Sequence, residues 1–241
     1  MKALVEIHDL HIRRNGRDVL AIPALEIPRG EILAVVGPNG SGKSTFLLAL
    51  AHLLIPVSGG IFFEGKSLEC WNDLAYRRKL SFIFQDPLLL DMTVEQNVEL
   101  GLKFRGIASD EIRVRVGKWL KKLGIQSLAK RRASQLSGGE AQRVSLARSF
   151  VLEPELILLD EPFSSLDPPT RANLLEDLTA LLAKDHRTAV FVTHNLDEAA
   201  KLSHRIAVMI KGMLRQVGPA RQIKSKPADE AVASFLQELT G

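Results

Sequence analysis

The sequence predicts an α/β protein with a mostly parallel sheet, an antiparallel β section at the N-terminus and an inserted helical segment. Three observations carry this. Short apolar runs recur at Leu33 to Val36, Leu80 to Phe84, Leu156 to Leu159, Ala189 to Thr193 and Arg205 to Ile210. They barely alternate, as expected of parallel strands covered on both faces. Helical stretches separate several of them, which is the pattern of crossover connections. Residues 3–8 and 18–27 read instead as strands joined by the turn Arg14-Asn15-Gly16-Arg17, a small antiparallel sheet.

Between 86 and 154 the strand pattern stops, and Glu111 to Leu123 and Gly139 to Leu152 have the spacing of amphipathic helices. The expected division is therefore an α/β core from residues 1–85 and 155–241, with 86–154 as a helical insertion. Ala228 to Leu239 reads as a closing helix. No repeat, low-complexity tract or heptad series interrupts this plan.

The composition fits a compact domain. The chain has 241 residues, 46% of them hydrophobic, and a net charge of +4, which excludes a disordered or fibrous protein. The single cysteine, Cys70, forms no intrachain disulfide, in keeping with a reducing compartment. The start, Met1 to Glu6, lacks the features of a secretory signal. The most apolar window, Phe46 to Val57, carries His52 and falls well short of the ~20 residues needed to cross a bilayer, so any membrane role is expected to be peripheral. Residues 201–226 hold seven Lys or Arg and no acid. That tract reads either as a solvated basic face or as an anion-binding surface. The absence of interleaved aromatics favours the first.

The strongest motif is Gly37-Pro38-Asn39-Gly40-Ser41-Gly42-Lys43-Ser44-Thr45, directly after an apolar strand and opening a helical run. Two glycines with four residues between them, followed by lysine and a hydroxyl residue in that context, make a phosphate-binding loop. The glycines let successive N–H groups converge on an anion, and the helix adds its positive end. Lys43 is expected on the β and γ phosphates, Ser44 on Mg²⁺ and Thr45 on a phosphate oxygen further back.

The strand Leu156 to Leu159 ends in Asp160 and Glu161, and ligands of open α/β sheets sit at the carboxyl ends of strands. Asp160 is placed to hold Mg²⁺ and Glu161 to orient or deprotonate a water. His194 ends the run Val190 to Thr193 and is a candidate donor to the γ-phosphate. The next residue, Asn195, fits a helix cap with Glu198 three positions on. Gln85 ends another strand, where an amide can touch the metal's water.

Leu136-Ser137-Gly138-Gly139-Glu140-Ala141-Gln142 has the capping-box spacing of Ser137 and Glu140. Two glycines in a first helical turn cost about 1 kcal/mol each relative to alanine. Bare N–H groups and a hydroxyl there offer a second anion site.

This run resembles the signature motif of the ATP-binding cassette (ABC) family. With Gly37 to Thr45, Gln85, Leu156 to Glu161, Ser165-Leu166-Asp167 and His194 in the same order, the resemblance covers nearly the whole chain. It implies a P-loop NTPase core that hydrolyses ATP with Mg²⁺, in which two copies pack head to tail around shared nucleotides. Ser137, Gly138 and Gly139 would then meet the γ-phosphate held by the partner, and Asp167 would lie across the seam. It further implies transmembrane permease subunits, an extracytoplasmic substrate-binding protein acting indirectly, and residence on the cytoplasmic face of the cell membrane, with no nucleic-acid partner. Where the family carries an adenine-stacking aromatic, this chain has Arg14, and Arg14 or Arg13 is expected in that role.

The apolar loop Asp86 to Val94 reads as a groove for a membrane subunit's helix. The stretch Met92 to Val98 resembles cassettes of tungstate and molybdate uptake. Two other classes compete: a cassette of lipoprotein release or cell division, and a soluble chromosome-maintenance ATPase, which would need long coiled coils that are absent. A neighbouring permease gene favours import.

Overall fold

Strands covered on both faces carry apolar side chains in both directions, and the computed structural model, which describes residues 2–184 and 186–238, has such strands at its centre. The strands are β1 (Ala3–Arg14), β2 (Arg17–Pro28), β3 (Ile32–Val36), β4 (Ser58–Phe63), β5 (Lys66–Ser67), β6 (Leu80–Ile83), β7 (Leu156–Asp160), β8 (Thr188–Val192), β9 (Arg205–Ile210) and β10 (Met213–Gly218). The helices are α1 (Lys43–Leu50), α2 (Asp73–Arg77), α3 (Val94–Phe104), α4 (Ser109–Lys122), α5 (Gly138–Phe150), α6 (Pro168–Lys184), α7 (Leu196–Leu202), α8 (Ala220–Ser225) and α9 (Glu230–Glu238). The expected closing helix is present as Glu230–Glu238, starting two residues later than expected, and Leu239 lies outside the described residues, as does Met1.

The ten strands form one sheet in the order β5-β4-β1-β2-β10-β9-β3-β8-β7-β6. β9, β3, β8, β7 and β6 run parallel, and the remaining pairings are antiparallel except β10 with β2. The N-terminal hairpin is therefore not a separate sheet. A parallel bridge between Met213 and Ala21 joins it to the central strands. Ser58–Phe63 and Met213–Gly218, which lack a clean apolar run, are also strands.

Alternate residues of the central strands feed two apolar clusters. Ala34, Ile157, Leu159, Ala189 and Phe191 face one, together with α3 to α7. Leu33, Val35, Leu158, Val190 and Val192 face the other, with α1 and the antiparallel strands. The helices between 86 and 154 share the first cluster with the sheet rather than enclosing one of their own.

The loop before α3 is ordered by polar side chains. Asn97 is fully buried in α3. Its Oδ1 accepts from Leu90 N at 2.9 Å, and its Nδ2 donates to Leu90 O at 3.0 Å and Thr93 O at 3.1 Å. Arg148 in α5 donates to Leu88 O at 2.9 Å and Pro87 O at 2.8 Å. Held this way, the loop leaves Leu88 59% and Leu90 46% exposed.

Four of the seven basic residues in 201–226 are paired, Lys201 with Glu176, Arg205 with Glu31, Arg215 with Asp229 and Lys224 with Asp197. That matches a solvated basic face.

Truncating Asn97 leaves the part-buried Leu90 N–H and the carbonyls of Leu90 and Thr93 without this partner. Asn97→Ala is expected to lower unfolding stability by about 2–4 kcal/mol in urea titration and to open the loop at Leu88 to protease. A loss below about 0.5 kcal/mol contradicts the role given to this side chain.

Candidate functional site

Parallel pairing brings the carboxyl ends of β3, β8 and β7 to one level. Val35 and Asp160 both lie opposite Val192 on β8. The phosphate loop leaves β3, Asp160 and Glu161 end β7, and His194 follows β8.

The loop is built for an anion. A Cβ on Gly37 would fall 2.0 Å from Met209 O, so only glycine lets the chain leave β3 there. Gly42 caps α1 in the left-handed conformation, with no side-chain cap and no acid in the first turn, which leaves the positive helix end open. Ser41 Oγ is buried without a hydrogen-bond partner. Lys43 is buried, and its Nζ donates to Gly37 O at 2.8 Å and Pro38 O at 3.1 Å. Burial lowers the Lys43 pKa, opposed by the nearby Glu161 and Asp160 charges. A cleft of about 380 Å³ opens here, lined by Asn39 to Thr45, Glu161, Asp18, Val19, Lys211 and Gly212.

Ser44 Oγ donates to Asp160 Oδ1 at 3.2 Å. Two hard oxygens side by side fit Mg²⁺, with its other ligands drawn from phosphate and water, since no group of three or more His, Cys, Asp or Glu suited to a metal occurs among the described residues. Burial raises the Asp160 pKa, the Ser44 hydrogen bond opposes that, and the Glu161 charge adds to it.

Glu161 leaves the strand direction at once. Its φ is 44°, a left-handed conformation that costs a non-glycine residue on the order of 1 kcal/mol. Its N–H donates to Val192 O at 3.0 Å, and its Oε2 lies 2.8 Å from His194 Nδ1. A carboxylate only accepts, so Nδ1 carries the proton. To donate to a phosphate while that bond holds, the ring needs a second proton on Nε2.

Asn195 Oδ1 caps α7 by accepting from Asp197 N at 2.8 Å and Glu198 N at 3.0 Å. The expected partner does not return the bond. Glu198 accepts from Thr193 Oγ1 at 2.7 Å instead.

Gln85 lies exposed just past β6 and makes no hydrogen bond to Ser44, Asp160 or Glu161 among the described residues. Arg14 is exposed at the end of β1, opposite Arg17, and does not line the cleft. The same hairpin lends Asp18 and Val19 to the cleft, and Arg13 is paired to Asp18 at 2.9 Å. Asp18, Val19, Lys211 and Gly212 were not legible as lining residues. Only the Lys-Gly dipeptide between β9 and β10 signals a turn, and Gly212 N fastens it to Ser41 O at 3.0 Å.

Ser137, Gly138, Gly139 and Asp167 gather elsewhere. The capping box forms, with Ser137 N donating to Glu140 Oε2 at 2.8 Å and Glu140 N to Ser137 Oγ at 3.3 Å. A Cβ on Gly139 would meet Thr170 Cγ2 at 2.5 Å, so this glycine also has a packing reason. Asp167 Oδ2 accepts from Thr170 N at 3.1 Å. None of these four lines the cleft.

A family model described as ABC transporter matches residues 20–164. The molybdate/tungstate import ATP-binding protein WtpC of Thermococcus kodakarensis is 42% identical over 212 residues, which is 87% of this chain and 63% of that protein. The sulfate/thiosulfate import ATP-binding protein CysA of Nocardia farcinica is 41% identical over 230 residues, 94% of this chain and 69% of that protein. The chain thus spans a little under two thirds of the first relative's length. The structure of cbiO1 from Clostridium perfringens, part of the ABC transporter complex cbiONQ, superposes with a TM-score of 0.88 at 29% identity, covering 95% of this chain and 93% of that one.

Because folding raises the Asp160 pKa, its charge destabilises the fold above that pKa, and the cost vanishes as pH falls through it. Asp160→Asn keeps an acceptor for Ser44. It is expected to raise the unfolding free energy at neutral pH, seen as a higher urea midpoint, by no more than about 1 kcal/mol after solvent screening, while weakening Mg²⁺-dependent nucleotide binding. A lowered midpoint contradicts this.

Proposed function

The chain belongs to the ABC transporter family, and from that premise we propose that it is the ATP-hydrolysing subunit that energises an importer. One observation carries the reading: a single copy gathers the glycine-rich loop, the Ser44–Asp160 pair and the Glu161–His194 pair at the carboxyl ends of neighbouring parallel strands, while the capped start of α5 does not line the cleft beside them.

In this reading Gly37 to Thr45 hold the triphosphate, with Lys43 on the β and γ phosphates. Ser44 and Asp160 hold Mg²⁺, which neutralises phosphate charge when bound, and Gln85 reaches the metal's water. Glu161 orients or deprotonates the attacking water, and His194 steadies both water and γ-phosphate. Two copies pair head to tail, so that Ser137, Gly138 and Gly139 of one meet the nucleotide of the other and Asp167 crosses the seam. Triphosphate on both faces closes the seam by charge-assisted hydrogen bonds, and loss of phosphate opens it. Arg14 stacks on the base through its planar guanidinium, with Arg13 held by Asp18.

Residues 86–154 form the helical subdomain that passes the motion on. Leu88 and Leu90 sit beside a cleft of about 300 Å³, lined also by Pro87, Leu89 and Ala141, which suits a helix of a transmembrane permease subunit. No helix among the described residues is long and apolar enough to cross a membrane. The protein would therefore sit on the cytoplasmic face through that partner, with an extracytoplasmic binding protein delivering cargo. The molybdate/tungstate and sulfate/thiosulfate relatives support a tetrahedral oxyanion as that cargo.

Glu161→Gln is expected to keep ATP affinity within about threefold, to slow hydrolysis by at least about 100-fold and to accumulate an ATP-bound dimer in size-exclusion chromatography. Persistence of monomer under saturating ATP and Mg²⁺ contradicts the shared site. Lys43→Ala is expected to weaken nucleotide binding itself, at least about tenfold by fluorescent-nucleotide titration, and unchanged affinity contradicts its role.

A further inference from the structure

Two charged side chains bonded to the segments that carry Glu161 and His194 take no part in the chemistry above. Glu198 in α7 is buried and accepts from Thr193 Oγ1 at 2.7 Å. Arg171 in α6 donates from Nη2 to Leu166 O at 3.0 Å and to Ser164 O at 3.5 Å. Its Nε is buried, has no hydrogen-bond partner and lies 4.0 Å from Glu198 Oε1. A buried carboxylate is tolerated beside a cation, and a buried donor left unpaired is rare enough to need a reason.

Followed outward, these contacts close on themselves. Ser164 Oγ donates to Glu161 O at 3.0 Å, and His194 Nδ1 donates to Glu161 Oε2 at 2.8 Å. Thr193 precedes His194 in the chain, and its Oγ1 also accepts from Asn195 N at 3.0 Å, which fixes the backbone on both sides of the histidine. The path Glu161, Ser164, Arg171, Glu198, Thr193, His194 is a ring that begins and ends at the carboxylate assigned to the attacking water.

We propose that Arg171 and Glu198 are positioning residues that hold this ring closed and so set where the Glu161 carboxylate and the His194 imidazole point. A pair that merely fastened α6 to α7 would bond directly. Here the hydrogen bonds of Arg171 go to the loop after Glu161, and that of Glu198 goes to the residue before His194. Each charge thus holds one of the two segments that carry the reacting groups, and the two charges face each other across the remaining gap. Arg171 touches neither nucleotide loop nor metal pair, so its loss acts on turnover rather than on binding. The inference rests on the hydrolytic reading of Glu161 and His194.

The test uses Arg171→Ala, Arg171→Lys and Glu198→Gln in the full chain, the last keeping an acceptor for Thr193 while removing the charge. All three are expected to lower kcat about tenfold with the KM for ATP changed less than about twofold. The lysine does not rescue, because it lacks the fork that serves two carbonyls and a carboxylate together. In nucleotide-free protein the imidazole ¹⁵N resonances of His194, assigned by His194→Ala, are expected to shift in each variant. A folded Glu198→Gln protein with unaltered kcat, or with unmoved His194 resonances, overturns the proposal, as does full rescue by lysine. The resonance arm needs no hydrolysis. If Glu161→Gln fails to slow turnover, the functional reading falls, whereas unmoved resonances remove only this inference.

Discussion

Parallel hydrogen bonding among β3, β8 and β7 is the constraint on which the site depends. Ile32 to Val35 pair with Ala189 to Val192, and Leu156 to Asp160 pair with Thr188 to Val192. The side chains are apolar on both faces, so no strand can slip by one residue without moving each side chain to the opposite cluster. Three chain segments therefore leave the sheet at a common level with fixed directions. The phosphate loop, the two acids and His194 converge for that reason.

The convergence opposes charges to burial. Lys43 and Asp160 are both pushed toward their neutral forms by desolvation, and each is partly restored by the other's charge. Glu161 adds a strained backbone to the same corner. A polyanion with its divalent cation would answer these tensions together, its phosphate oxygens drawn to the lysine and the helix end and its cation to Asp160. Under the proposed reading, bound nucleotide would relieve both, and that gain would drive the switch.

The buried strands were legible because continuous apolar runs have few other readings, and the phosphate loop because its glycine spacing has a steric cause visible in the residues. The antiparallel half was legible as a hairpin but not as part of one sheet, since a single bridge at Met213 and Ala21 makes the join. Ser58–Phe63 opens with Ser58-Gly59-Gly60, and Met213–Gly218 mixes exposed and half-buried residues, so neither gives a strand-like run. Among the site residues, Asp160, Glu161 and His194 were marked by polarity at the ends of apolar runs. Arg171, Glu198 and Asn97 were not, because charge or amide within an amphipathic helix reads as solvated surface. Only the tertiary contact reveals the burial.

The central claim is that one chain supplies two halves of different reaction centres. Ser137 and Asp167 stand apart from the cleft that holds Lys43 and Glu161, and a composite centre follows if two copies face each other. The direct test mixes two inactive variants, Lys43→Ala and a bulky replacement of the signature serine, Ser137→Phe. In a mixed dimer one site carries both defects and the other carries neither, so mixing is expected to restore up to about a quarter of the native hydrolysis rate. Failure of the mixture to exceed the sum of its parts, together with a native specific rate independent of dilution, would contradict the account.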